Sequence, residues 1–298
     1  APAANDSKCG HLVALSSLKA LLALNLLYNS TITVALIGDD ESSGKPLSIS
    51  RKDLVEAGKA SDIAIGFENS TGYNYATIAR RGSSNWSVST KGKRNHSSGI
   101  FSEEVGAGAI FEMSRILNGL YEEVRGEKLL TFNPGVLMGG TFINFDKSKS
   151  EANVYGKTNV VAQIARVDGG LRFISEDQKQ RAREKMKEIV EQGLPNTSAT
   201  ISFEDSYPAM KPSEGNIKLL KLFSDVSVAL NQGEVKAYDP LKRGAADISF
   251  VAKYVDGIDG IGAMGEGAHT ENETVNLNTF EDITIRTAIF IYRLININ

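Results

Sequence analysis

The run Val34-Ala35-Leu36-Ile37-Gly38 is apolar, and it breaks at once into three acids, Asp39, Asp40 and Glu41, followed by Ser42, Ser43 and Gly44. Such a stretch predicts a buried strand, over 31–37, with carboxylates at its tip. In an open α/β sheet the carboxyl ends of the strands form the ligand crevice, so acids placed there face a site. Three adjacent carboxylates repel one another unless a cation lies among them. Hard oxygen ligands suit a divalent metal, whose charge offsets the repulsion. Taken alone, the stretch reads better as a solvated acidic turn than as a metal site.

A second apolar run, 61–67, also ends on an acid, Glu68, and the bulk properties narrow what such tips can serve. The 298 residues are 41% hydrophobic and 23% charged, with a formal net charge of −3. Acids and bases are interspersed, so no basic face argues for nucleic acid and no polybasic run for a membrane surface. The single Cys9 excludes an internal disulfide and leaves the compartment open, cytoplasmic or exported. The longest apolar stretch, 12–27, is interrupted by Lys19 and falls short of a membrane span. It reads as a helix packed on both sides.

Helix then strand opens an α/β domain over 1–76. From there the pattern alternates, as in Asn85-Trp86-Ser87-Val88-Ser89-Thr90, in the manner of half-exposed antiparallel strands. A helix is expected over 102–120 with Ser102 as its cap, strands over 129–137, 159–167, 170–174 and 198–204, and a charged helix over 176–192. Residues 139–156 read as a mobile loop. Together they predict a two-layer α+β module over 77–207, inserted into a discontinuous, mostly parallel-sheet α/β domain that resumes over 208–298.

The acids and histidines at predicted strand ends and loops of the α/β part are Asp6, Asp40, Glu41, Glu68 and His269. A carboxylate-rich set with few histidines and no cysteine suits a two-metal hydrolase, in which carboxylates bridge the cations and one acid remains free to take a proton from water.

The order of Asn5-Asp6-Ser7-Lys8-Cys9-Gly10, Asp39-Asp40-Glu41, Phe67-Glu68, Gly92-Lys93-Arg94-Asn95-His96-Ser97 and His269-Thr270-Glu271-Asn272-Glu273 resembles the zinc-dependent amidohydrolase and peptidase family of glutamate carboxypeptidase, acetylornithine deacetylase, succinyl-diaminopimelate desuccinylase and aminoacylase. The resemblance runs through the inserted module. It implies two zinc ions, for which cobalt or manganese can substitute. Asp6 matches the bridging carboxylate, Glu41 and His269 the other ligands of one zinc, and Glu68 a ligand of the second. Asp40 stands at the general base, where the family has glutamate. His96 matches the histidine that reaches a partner subunit's site and steadies the oxyanion, and Asn159 and Arg172 match substrate-contacting residues. Gly244 to Asp247 partly resembles a glycine-rich loop near the substrate's carboxyl end, without its threonine.

The implied activity is hydrolysis of an amide or peptide bond next to a free carboxylate, with a peptide or N-acyl amino acid as substrate and a homodimer formed through the module. The family's first motif, a His-x-Asp strand end, lies upstream of the residue matched by Asp6 and is not in this sequence. It is therefore expected that the catalytic domain lacks its opening part, and the alternative reading is a degenerate or truncated homologue that binds peptides without cleaving them.

Overall fold

A computed structural model describes residues 3–28, 30–39 and 43–296. In chain order the helices are α1 (Cys9–Ala23), α2 (Leu47–Ser50), α3 (Lys52–Lys59), α4 (Gly108–Glu123), α5 (Glu176–Glu191), α6 (Glu214–Ala229) and α7 (Phe280–Ile295). The strands are β1 (Ile63–Ile65), β2 (Tyr75–Ala76), β3 (Gly82–Gly92), β4 (Thr131–Gly140), β5 (Phe142–Asp146), β6 (Glu151–Tyr155), β7 (Ile164–Phe173), β8 (Thr197–Asp205), β9 (Lys236–Ala237), β10 (Asp256–Ile258), β11 (Gly265–Glu266) and β12 (Thr274–Val275). They form two compact units, Ala1–Arg81 with Tyr207–Asn298, and Gly82–Ser206.

The first unit is assembled from both ends of the chain. β1 pairs in parallel with β10 and β2 with β9, so its parallel sheet survives as short two-stranded pieces. Its largest core joins Ala76, Ile78, Phe223, Val226, Ile258 and Phe290, with the rings of Phe223 and Phe290 edge to face at 5.1 Å. Ser213 caps α6, its hydroxyl accepting from the Asn216 N–H at 2.9 Å. α1 meets α7 through Leu21, Ala288 and Ile291. Contrary to the two-sided packing expected of it, α1 leaves Leu12, Leu15 and Leu22 exposed.

Residues 31–37 are a second correction. They form no strand, and Ile32, Val34 and Leu36 are exposed by 41%, 43% and 60%. A strand needs a neighbour for its backbone groups, and among the described residues none pairs with this segment.

The second unit is a four-stranded antiparallel sheet in the order β4-β7-β3-β8, with α4 and α5 on one face. The alternation in β3 sets the layers: Ser84, Trp86, Val88 and Thr90 are buried, and the residues between them are not. Trp86 is 1% exposed and donates from Nε1 to the Gly170 carbonyl at 3.1 Å. A side chain at Gly169 would meet the Trp86 ring at 2.5 Å, so only glycine fits there. Ser175 caps α5, accepting from the Gln178 N–H at 3.1 Å.

The predicted strands 159–167 and 170–174 are one strand, β7. The segment read as a mobile loop contains the β5–β6 hairpin. α4 begins at Gly108, because Ser102 caps an earlier turn instead, accepting from the Val105 N–H. Among the described residues no helix is long and apolar enough to cross a membrane.

Candidate active site

Asp6 lies in a kinked turn, Ala4–Lys8, just before α1, with φ −117° and ψ 88°. Its Oδ2 is 3.0 Å from His269 Nε2, across 263 residues of sequence. The carboxylate is 12% exposed and the imidazole 63%. His269 follows the strand β11 with φ 64°, a left-handed conformation uncommon outside glycine and concentrated at functional sites. Glu273 secures the other side of Asp6: its Oε1 accepts the N–H groups of Asn5 at 3.0 Å and Asp6 at 2.9 Å. The Asp6 N–H, more than its own burial opposes, holds the Glu273 carboxyl below the usual carboxylate range.

Glu68 follows β1, and its backbone is gripped closely. A side chain at Gly10 would meet the Phe67 carbonyl at 2.0 Å, and one at Gly262 would meet it at 2.3 Å. Glycine at both positions lets the turn carrying Asp6 and the loop after β10 close on the strand end carrying Glu68. The Glu68 N–H donates to Asp259 Oδ1 at 3.3 Å. Asp259 also accepts from Arg80 Nε at 2.7 Å, both side chains being buried, and Arg80 Nη1 donates to the Gly244 carbonyl at 2.8 Å. Arg243 donates from Nη1 to Asn69 Oδ1 at 2.8 Å. Burial and the neighbouring Arg80 lower its pKa, while Asp259, Glu68 and Asp6 oppose them, so this guanidinium sits in the field of two of the expected metal ligands, Glu68 and Asp6.

Asp40 and Glu41 lie outside the described residues. Among the described residues no three histidine, cysteine or carboxylate side chains converge to hold a metal ion. What the structure brings together is Asp6 with His269. One carboxylate and one imidazole form part of a donor set that suits zinc and similar divalent ions, so this pair fits the implied metal as a partial cradle.

In the second unit, His96 is exposed, bonds Ser98 Oγ through Nδ1 at 2.8 Å and caps the turn Ser97–Gly99. Asn159 lies beside it, its carbonyl accepting the Ser97 N–H at 2.9 Å. Arg172 does not join them. It pairs with Ser83 at the opposite end of β3 from Gly92, so roughly 30 Å of strand separates it from His96 and Asn159.

Glu273 stands inside one of the quoted motifs, yet its role emerges only from the contact it makes. Arg243 had no sequence signal, because Asn69 lies 174 residues away in the chain.

Residues 78–198 match the peptidase dimerisation domain family. None of the curated proteins compared matches the sequence. Over 96% of this chain the structure resembles the aminopeptidase PepT from Bacillus cereus, with a TM-score of 0.71, 16% identity and 70% of that chain covered. It also resembles YxeP of Bacillus subtilis, described as a dinuclear metal binding peptidase of the M20 family, with a TM-score of 0.57, 15% identity, and 83% of this chain and 62% of that one covered. The aminobenzoyl-glutamate utilization protein of Klebsiella pneumoniae aligns over 95% of this chain and 65% of its own, with a TM-score of 0.55 and 14% identity.

Proposed function

We propose that this chain is a metal-dependent hydrolase of an amide or peptide bond next to a free carboxylate, a reading supported by the match of residues 78–198 to the peptidase dimerisation domain family and by the likeness of its fold to solved peptidases, one of them of the M20 family. The observation that carries the reading is the 3.0 Å approach of His269 to Asp6, which nothing in the local sequence requires. Asp6 and His269, with Glu41 and Glu68, would hold the metal, zinc being the ion that the family resemblance implies. Bound there, the ion supplies a Lewis acid and lowers the pKa of water.

The remaining steps belong to the chain. Asp40 takes a proton from the attacking water and returns it to the leaving amine. Its side chain is one methylene shorter than the family's glutamate, and a misplacement of about 1 Å can cost on the order of a hundredfold in rate. His96 donates a hydrogen bond to the oxyanion. Arg172 holds the substrate carboxylate with its planar fork, and Asn159 and Gly244 line the substrate. The separation of Arg172 from His96 means that one protomer cannot present both to a small substrate. A homodimer formed through the second unit would combine them from two chains.

The test is zinc content together with hydrolysis of a panel of N-acyl amino acids and peptides with C-terminal glutamate. Zinc-dependent hydrolysis abolished by a chelator is expected. His96→Ala should lower kcat by about 100- to 1000-fold with zinc content unchanged. Peptide binding without turnover would favour a non-enzymatic binding protein instead.

A further inference from the structure

The turn after β1, residues 67–70, is held at one backbone group after another. The Glu68 N–H donates to Asp259 Oδ1 at 3.3 Å, and the Glu68 carbonyl accepts the Gly262 N–H at 3.0 Å. Arg243 grips the next residue twice, Nη1 donating to Asn69 Oδ1 at 2.8 Å and Nη2 to the Asn69 carbonyl at 2.5 Å. The Ser70 N–H then donates to the Ala263 carbonyl at 2.8 Å. Asp259 is itself fixed and fully buried: its Oδ1 also accepts the Gly260 N–H at 2.6 Å, and its Oδ2 accepts from Arg80 Nε at 2.7 Å.

Little room is left for this turn to move. A side chain at Gly66 would meet Asp259 Oδ1 at 2.3 Å, and one at Gly260 would lie 3.3 Å from Arg243 Nη2. The two arginines are also joined through the chain, because Arg80 Nη1 donates to the carbonyl of Gly244, the residue after Arg243, at 2.8 Å. The side-chain and main-chain oxygens of one asparagine make a two-pronged acceptor. A planar guanidinium reaches both prongs at once in a fixed geometry, which the point charge of an ammonium group does not impose. Arg243 gives up hydration by its burial, yet both of these hydrogen bonds go to an uncharged residue, whose neighbour in the chain is Glu68.

We infer that Arg243 is a positioning residue for the metal site: by clamping both oxygens of Asn69 while the Arg80–Asp259 pair holds the Glu68 N–H, it fixes the turn 67–70 and with it the direction in which Glu68 is offered to the ion. The inference rests on the proposed metal hydrolase and adds to it a residue that acts through the chain beside a ligand. Residues that orient metal ligands from behind typically govern metal affinity by about 10- to 100-fold.

The experiment uses the 298-residue chain, with Arg243→Lys, Asn69→Ala and the double variant. Lysine keeps the positive charge near Glu68 and Asp6 and removes the fork, so a change in affinity reads geometry and not field. Asn69→Ala keeps the arginine and removes one prong. Cobalt(II) affinity is read from visible absorption on titration, and hydrogen–deuterium exchange is followed over 67–70. Both single variants should exchange faster in this segment and bind cobalt about 10- to 100-fold more weakly. The double variant should be no weaker than the worse single, since both act through one contact. Faster exchange with wild-type cobalt affinity would overturn the inference and leave Arg243 as a structural tie; unchanged exchange would overturn it outright. A wild-type chain that takes up no cobalt would sink the hydrolase reading and this inference together, whereas uptake equal in wild type and variants sinks the inference alone. Asn69→Ala leaves the guanidinium and the Asn69 carbonyl contact in place, so it carries the test if Arg243→Lys does not fold.

Discussion

Glu112 on α4 is fully buried, and its carboxylate accepts from Arg115 at 2.6 Å, from the Leu194 N–H at 2.8 Å and from Thr197 Oγ1 at 3.2 Å. Burial acts to raise its pKa, but Arg115 and these donors outweigh it, so the carboxyl titrates below its ordinary value of 4.5. Glu112→Ala would leave Arg115 without its carboxylate and the Leu194 N–H without an acceptor. The expected loss is about 3–5 kcal/mol, measurable by urea unfolding. A carboxyl whose folded pKa lies below its unfolded one contributes fully above the unfolded value, and that contribution fades as pH falls through the folded one. Stability should therefore drop below about pH 4.5, and Glu112→Gln should flatten that dependence. Residues of this kind were not legible in the sequence. Asp6 and His269 could be singled out because each sits in a short motif. The Leu194 N–H held by Glu112, the Asn5 N–H held by Glu273 and the Asp247 carboxylate held by Arg51 lie 82, 268 and 196 residues away, and no local pattern encodes such a pairing.

Elements were legible where sequence chemistry is self-contained. The alternation in β3 acts within a few residues and the structure follows it, whereas the cap expected at Ser102 closes a turn ahead of α4. The 31–37 segment failed because β-branched apolar residues state a preference for extended backbone without naming the strand that will pair with it. Its exposure gives a direct check. Val34→Thr should change the stability of this chain by no more than about 0.5 kcal/mol, whereas a buried strand at that position would lose about 1–3 kcal/mol for the uncompensated hydroxyl; thermal or urea unfolding decides. The β5–β6 hairpin was missed for the opposite reason. Its polar turn, Asp146-Lys147-Ser148-Lys149-Ser150, dominates the sequence there, while the pairing of Phe142 with Tyr155 and Ile143 with Val154 shows only in the register.

At the scale of the whole molecule, the sequence suggested an insertion because the hydrophobic period changes where β3 begins and changes back before α6. Nothing in it revealed where along the sheet each motif would fall. β3 and β7 run antiparallel over ten residue pairs, from Gly82–Phe173 to Lys91–Ile164, and this places His96 and Arg172 at opposite ends of one rigid sheet. Two inactive proteins, His96→Ala and Arg172→Ala, would then be able to complement one another. In a mixed dimer, one of the two sites draws its arginine from the first variant and its histidine from the second and so is intact. Random exchange of protomers should restore up to about a quarter of wild-type activity, although neither variant is active alone. If mixing restores nothing, the two residues do not serve one site from separate chains.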